Sequence, residues 1–260
     1  MAAKGQMKSA GKQRLDLVLV ETGQVASRQR AKTMIMAGKV LVNDVPVDKP
    51  GTLIRPDARI IVKQDDNPYV SRGGLKLEKA LAVFPVTAKD TVCLDIGAST
   101  GGFTDCLLQN DAKKVFAVDV GYGQLAWSLR QDERVVTIER TNIRHLEYET
   151  VGEPMDMVVA DTSFISLKTV IPAAEKFMRD GTIVLALIKP QFEAGREHIG
   201  KGGVVKDPEI RKKVVADIVA FFQNRGYEVH DVVPSPILGP KGNEEFLLYM
   251  DFRTLNSAME

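Results

Sequence analysis

Apolar positions near the start of the chain recur at helical spacing and then switch to strand spacing. Leu15, Val18 and Leu19 share one helical face over 14–22, which stops at Gly23. Ser27 is placed to cap a second helix, whose inner face is Ala31, Met34 and Ile35 and which ends at Gly38. Residues 40–47 then alternate as a short hairpin turning at Asn43-Asp44. Beyond a polar, proline-containing stretch at 64–69 the pattern becomes apolar runs separated by amphipathic ones. Strands are predicted at 92–97, 114–120, 135–140, 155–161 and 182–188, with a closing pair at 228–236 and 244–252. Helices are predicted at 71–84, 100–110, 124–131, 166–178 and 207–225. This alternation predicts a Rossmann-like α/β domain: a mostly parallel seven-stranded sheet with an antiparallel last strand, preceded by a small α+β module. The expected divisions are a disordered basic tail at 1–12, the module at 13–66, a linker at 67–70, the sheet domain at 71–252 and a tail at 253–260.

The net charge of +1 over 260 residues conceals an asymmetry. Residues 1–66 hold twelve Lys/Arg against seven Asp/Glu, and the remainder holds 23 against 27. A basic module fused to an acidic domain implies a polyanionic partner gripped by the first and processed by the second. Arg28 and Lys32 lie four apart on one helix face, Arg30 flanks it, and Arg14 and Lys39 add charge; these five form the expected RNA-binding set. The N-terminal lysines precede no apolar core of a signal peptide, and the longest apolar run is 183–188, so neither secretion nor a membrane partner is expected. Cys93 and Cys106 fall on core positions and read as buried free thiols in a reducing, cytoplasmic setting. His198 is a lone histidine with no assigned role, and no metal is expected.

The stretch 92–104 carries Asp95 near the end of a strand, turns at Gly97-Ala98-Ser99-Thr100-Gly101-Gly102 and runs directly into a helix that includes Phe103; a second strand closes on Asp119. Glycines let backbone approach a nucleoside, and an acidic side chain after the second strand can accept both ribose hydroxyls. A dinucleotide would require glycine where this chain has Ser99, because a pyrophosphate must lie on bare backbone. Asp95, two residues before the turn, can meet an ammonium. Both details favour S-adenosylmethionine (SAM). The expected cofactor set is Asp95, Gly97, Ser99, Thr100, Gly101, Gly102, Phe103, Asp119, Asn142 (after the third strand) and Asp161.

Ligands of such sheets bind beyond the carboxyl ends of the strands. The fourth strand ends at Asp161 and the fifth at Lys189-Pro190, and an antiparallel last strand begins at that edge with Glu244-Glu245. On the first helix of the domain Lys76 borders the apolar stripe of Leu77, Ala80, Leu81 and Phe84, whereas Lys79 points away. Lys76, Asp161, Lys189 and Glu245 therefore converge as a candidate catalytic set. It suits methyl transfer to a ribose 2′-hydroxyl, a poor nucleophile that needs a base or a stabilising cation. Amino-group methylation would want an Asn/Asp-Pro-Pro-aromatic loop, and the chain has Asp161-Thr162-Ser163-Phe164. Pyrimidine C5 methylation would want a cysteine there.

Residues 27–32 with 38–43 resemble an S4 RNA-binding domain. With 71–77, 94–104, 161–167, 189–193 and 242–246, they make the chain similar to the TlyA family over nearly its whole length. Members of that family are called both haemolysins and ribosomal RNA 2′-O-methyltransferases, and their enzymatic fold is of the FtsJ/RrmJ type. The resemblance implies SAM-dependent 2′-O-methylation of cytidine in ribosomal RNA, with ribosomal RNA or a ribosomal subunit as partner. It also maps the family's tetrad onto Lys76, Asp161, Lys189 and Glu245. The rival expectations are a membrane-active haemolysin and an RNA-binding factor with an inactive methyltransferase domain. The basic, glycine-rich stretch 195–203 is a further candidate for closing over RNA or cofactor.

Overall fold

The computed structural model describes residues 11–25, 27–63 and 67–254, and the chain divides into two units, 1–66 and 67–260. Of the expected segments, residues 1–10 of the N-terminal tail, 64–66 before the linker and 255–260 of the C-terminal tail lie outside the described residues.

In the first unit two helices, α1 (Leu15–Glu21) and α2 (Arg28–Met36), pack over short strands. These are β1 (Gln13–Arg14), β2 (Val40–Val42), β3 (Val45–Pro46), β4 (Leu53–Ile54) and β5 (Ile60–Val62). β2 pairs antiparallel with β3 and β5, and β1 with β4. Ser27 Oγ accepts the Arg30 N–H at 3.2 Å, which is the expected cap. Asn43 and Asp44 take φ of +52° and +66°, the left-handed pair that a two-residue hairpin turn requires. Leu15, Leu19, Ala31, Ile35 and Val40 are fully buried between the layers. Arg14 belongs to β1 and not to the helix expected from 14. The two-residue strands escape sequence reading because they are too short to carry a period.

The second unit starts with α3 (Gly73–Val83) and continues as β6 (Val92–Ile96), α4 (Gly102–Gln109), β7 (Lys114–Val118), α5 (Trp127–Arg130), β8 (Val135–Ile138), α6 (Tyr148–Val151) and β9 (Met155–Ala160). It then runs through α7 (Leu167–Ala174), β10 (Met178–Ile188), α8 (Pro190–Glu193), α9 (Pro208–Asn224), β11 (Glu228–Pro234) and β12 (Phe246–Asp251). The seven strands lie in the order β11-β12-β10-β9-β6-β7-β8. β12 runs antiparallel to both neighbours and the other pairings are parallel. The chain steps outward from β6 through β7 to β8, then returns beside β6 with β9. The crevice of an open α/β sheet forms at such a switch point.

Two differences from the expected elements have local causes. The helix expected over 166–178 ends at Ala174, two residues past Pro172, and a single 3₁₀ turn at Glu175–Phe177 follows. Met178 is already in β10, paired with Met155; the register shifts before Ile183, where Gly181 takes φ +80°. Residues 179–181 fall between the expected helix and the expected strand, whereas they are an irregularity inside a longer strand. Cys93 and Cys106 are buried free thiols, and burial pushes both up to about 12.

Candidate active site

Alternation along the strands decides which side chains meet. Val92, Leu94, Val158, Ala160, Val184, Ala186, Leu248 and Met250 pack on one face of the sheet. Cys93, Met157, Val159, Leu185, Leu187, Leu247 and Tyr249 pack on the other, together with Leu77, Ala80 and Phe84 of α3. Asp161, Lys189 and Glu245 continue the parity of this second face just past the strand ends. Ile188 pairs with Phe246, so Lys189 and Glu245 are next in register across an antiparallel pair.

The four expected residues come together. Lys76 Nζ lies 2.6 Å from Glu245 Oε2 and 3.7 Å from Asp161 Oδ2. Lys189 Nζ lies 2.5 Å from Asp161 Oδ1. Asp161 thus bridges the two lysines, one on each oxygen. Lys76 and Lys189 are each 7% exposed and Glu245 2%, while the Asp161 side chain keeps 20%. Burial on this scale makes each charge depend on its partner. Lys79 is exposed, as the helix pattern predicted.

Three residues complete the cluster that sequence reasoning did not assign. Ser163 Oγ accepts from Lys189 Nζ at 3.2 Å. Gln191 is 7% exposed and donates to Glu245 Oε1 at 3.0 Å. Gly239 leaves the room that Glu245 occupies, since a Cβ there would lie 2.1 Å from its Oε1. Ser163 and Gln191 each stand two residues past a tetrad member, and that spacing was the available signal.

A cavity of about 450 Å³ opens at the carboxyl ends of β6, β7, β8 and β9, and Gly97, Ser99, Asp119, Asn142, Ile143 and Asp161 are among its walls. Asp119 Oδ2 accepts the Ser99 N–H at 2.7 Å and Oδ1 the Gly121 N–H at 2.6 Å, which fixes the carboxylate at the rim. Asn142 Oδ1 accepts the Arg144 N–H at 3.1 Å. Gly97 takes φ +85°, and a Cβ on it would come within 2.8 Å of the Asp161 carbonyl oxygen. Asp95 lies beneath the turn, fully buried, with Thr104 Oγ1 donating to its Oδ2 at 2.6 Å and no hydrogen-bond partner for Oδ1 among the described residues. Burial pushes its carboxyl up to about 7; the Thr104 bond opposes this, and the negative charges of Asp161 and Asp119 add to it.

The rest of the expected turn serves packing in this structure. Gly101 faces Leu125 and Leu129, and Gly102 faces Ser71 and the Gly74 backbone. Phe103 is core, and the Thr100 carbonyl accepts the Ala126 N–H. None of these four is among the cavity's lining residues.

In the first unit the basic set is less open than composition implied. Asp16, fully buried, accepts Arg14 Nε at 2.9 Å, Arg14 Nη2 at 3.1 Å and Arg28 Nε at 2.9 Å. The Arg14 hydrogen bond, ahead of the opposing effect of burial, lowers the Asp16 carboxyl to about 2. Arg14 and Arg28 are therefore paired on a common carboxylate, with side chains 43% and 51% exposed. Arg30 is exposed on the same helix; Lys32 and Lys39 are half-buried.

Residues 69–252 match the FtsJ-like methyltransferase family and residues 13–60 the S4 domain. The chain belongs to the FtsJ-like methyltransferase family. Within it, the chain is 46% identical to the 16S/23S rRNA (cytidine-2'-O)-methyltransferase TlyA of Mycobacterium tuberculosis, over 94% of this chain and 92% of that one. It is 42% identical to Hemolysin A of Brachyspira hyodysenteriae, over 91% of this chain and 98% of that one. A solved structure of a protein named as a hemolysin from Streptococcus thermophilus superposes with a TM-score of 0.73 at 46% identity, covering 94% of this chain and 89% of that one. The methyltransferase unit of this FtsJ-like protein thus carries both the switch-point cavity and the bridged lysine pair. Among the described residues, no helix is long and apolar enough to cross a membrane.

Proposed function

We infer that this protein is a SAM-dependent methyltransferase of ribosomal RNA, acting in the cytoplasm on the 2′-hydroxyl of cytidine. One observation carries the reading: Asp161 is at once a wall of the switch-point cavity and the bridge between two buried lysines. The relatives' own names supply cytidine and ribosomal RNA as the substrate class.

The residues fit the cofactor. Asp119 offers a fixed carboxylate for ribose hydroxyls, and Asn142 and Ile143 line the cavity beyond β8. The unpartnered Oδ1 of Asp95 lies under the turn, where a cation would favour its ionised form. When bound, SAM supplies an electrophilic methyl group on a sulfonium. The chain's own residues act on the acceptor. Lys189, steered by Asp161 and Ser163, would take the hydroxyl proton while the methyl carbon trades its bond to sulfur for one to the 2′-oxygen and a neutral thioether leaves, and Asp161 would pair with the ammonium that results. Lys76, locked to Glu245, holds the other oxygen of Asp161 and so fixes the bridge.

Mass-spectrometric mapping of 2′-O-methyl groups in ribosomal RNA, with and without the protein, tests the reading. New methylation at cytidine is expected. Protein that binds SAM and RNA yet adds no 2′-O-methyl group overturns it, and failure to bind SAM in a titration marks an inactive methyltransferase domain.

A further inference from the structure

A glycine-rich limb, 195–206, leads from α8 into α9, and its base is pinned at two points. Asn243, 4% exposed, accepts the Val205 N–H at 3.2 Å and donates to the Gly203 and Pro240 carbonyls at 3.0 and 3.1 Å. Arg211, in the first turn of α9, donates to the Val205 and Lys206 carbonyls at 3.1 and 2.8 Å and pairs with Glu244 at 3.1 Å. Asn243 and Glu244 are the two residues immediately before Glu245. The limb is thereby fastened to the turn that delivers the buried carboxylate of the active site.

What the limb presents is positive charge. Arg196, Lys201 and Lys206 are exposed, as is Lys241 in the turn that carries Asn243. None of the four makes an ion pair among the described residues, while the neighbouring acids are engaged. Glu209 pairs with Lys212 at 2.8 Å, Glu244 with Arg211, Glu197 lies 3.6 Å from His198, and Asp207 accepts the Glu209 N–H at 2.9 Å. Gly200, Gly202 and Gly203 strip the tip of side-chain bulk, and a Cβ on Gly202 or Gly203 would meet open space. Uncompensated cations on a slim, anchored limb fit a chain of phosphates.

We propose that the 196–206 limb and Lys241 form a phosphate clamp within the methyltransferase unit, gripping the acceptor RNA strand beside Glu245. The clamp supplies affinity additional to that of the S4 unit. It rests on the ribose-methyltransferase reading for its ligand.

The test compares full-length Arg196→Gln/Lys201→Gln/Lys206→Gln with the charge-matched control Lys79→Gln/Lys89→Gln/Lys113→Gln, using purified ribosomal RNA as probe. Each phosphate contact contributes about 0.7–0.9 to the logarithmic salt slope, so the limb variant should lose roughly two units of slope. Its KM for RNA should rise, with SAM affinity and thermal midpoint at wild-type values and the control binding RNA as wild type does. A limb variant with wild-type RNA affinity and slope overturns the clamp, as does an equal loss in the control, which would reflect net charge alone. The two readings fail separately: wild type that binds RNA without methylating it sinks the catalytic assignment, while the salt slope still judges the clamp.

Discussion

Lys76 and Glu245 form a buried pair that could hold the fold together, serve the chemistry, or do both, and a double-mutant cycle separates these roles. Their side chains are 9% and 0% exposed at 2.6 Å. Removing one partner of such a pair strands a buried charge at a cost of about 3–5 kcal/mol. Lys76→Met leaves Glu245 with only the Gln191 hydrogen bond and should fall at the upper end. Glu245→Gln leaves Lys76 with Asp161 at 3.7 Å and should fall at the lower. At about 2–4 °C per kcal/mol for a domain of this size, the single variants should melt roughly 6–20 °C below wild type. The double variant buries no unpaired charge and should recover to within about 1–2 kcal/mol. Methylation should not recover, because Asp161 has lost the lysine that fixes it. Thermal unfolding and single-turnover methylation at saturating SAM and RNA, each below the lowest melting temperature, read the two quantities. A double variant that regains methylation along with stability would reduce Lys76–Glu245 to scaffold and refute the role given to it.

Further expectations follow from the same geometry. Lys189→Ala should slow single-turnover methylation by about 10²–10⁴ with SAM and RNA affinities little changed, and Lys189→Arg should rescue poorly because a guanidinium cannot accept the proton; full activity in the arginine variant would make Lys189 an electrostatic clamp. Asp119→Ala should weaken SAM binding roughly ten- to a hundred-fold by calorimetry, and unaltered affinity would remove Asp119 from the cofactor site. Asp16 is depressed from 3.8 to about 2, so its stabilisation is complete above pH 4 and is lost as the pH falls through about 2. With both arginines about half exposed, this amounts to about 1–2 kcal/mol, readable as acid-induced amide exchange at Leu19 and Ile35 that an Asp16→Asn variant would show already at neutral pH. Charge reversal at Lys32 should weaken RNA binding and flatten its salt dependence without loss of the S4 fold, whereas reversal at Arg28 should also destabilise it, because a second carboxylate would face Asp16.

Most of the sheet was legible because five of its seven strands are largely apolar runs of four to six residues, and β10 closes on another such run before Lys189. That same grammar exposed Asp161 and Lys189, and the helical stripe of α3 exposed Lys76. What stayed hidden was pairing. Nothing in the spacing says that Asp161 gives one oxygen to each lysine, or that Lys189 meets Asp161 and Ser163 before any other group. Asp16 was invisible for a related reason: a carboxylate in an amphipathic helix reads as solvated surface, and only the third dimension brings Arg28 back to it from twelve residues away. Charge counting therefore treated Arg14 and Arg28 as open cations when both are tethered. Gln191 sat inside a motif yet carried no sequence mark of burial.

The tightest link between the two halves of the site runs through a glycine. Gly97 reads in sequence as a permissive residue for a nucleoside, and its φ of +85° agrees with that use. Its second role is steric: the Asp161 carbonyl lies where a Cβ would be, at 2.8 Å. The Asp161 N–H in turn donates to the Ile96 carbonyl at 3.1 Å, so the residue after β9 stays bonded to the last residue of β6. The turn that shapes the cavity thus also sets the height at which Asp161 leaves the sheet, and with it the positions of both lysine partners. A shift of the β6 turn cannot stay confined to the cavity; it must move the bridge between Lys76 and Lys189. The switch-point cavity and the lysine bridge are one mechanical unit, joined backbone to backbone between β6 and β9.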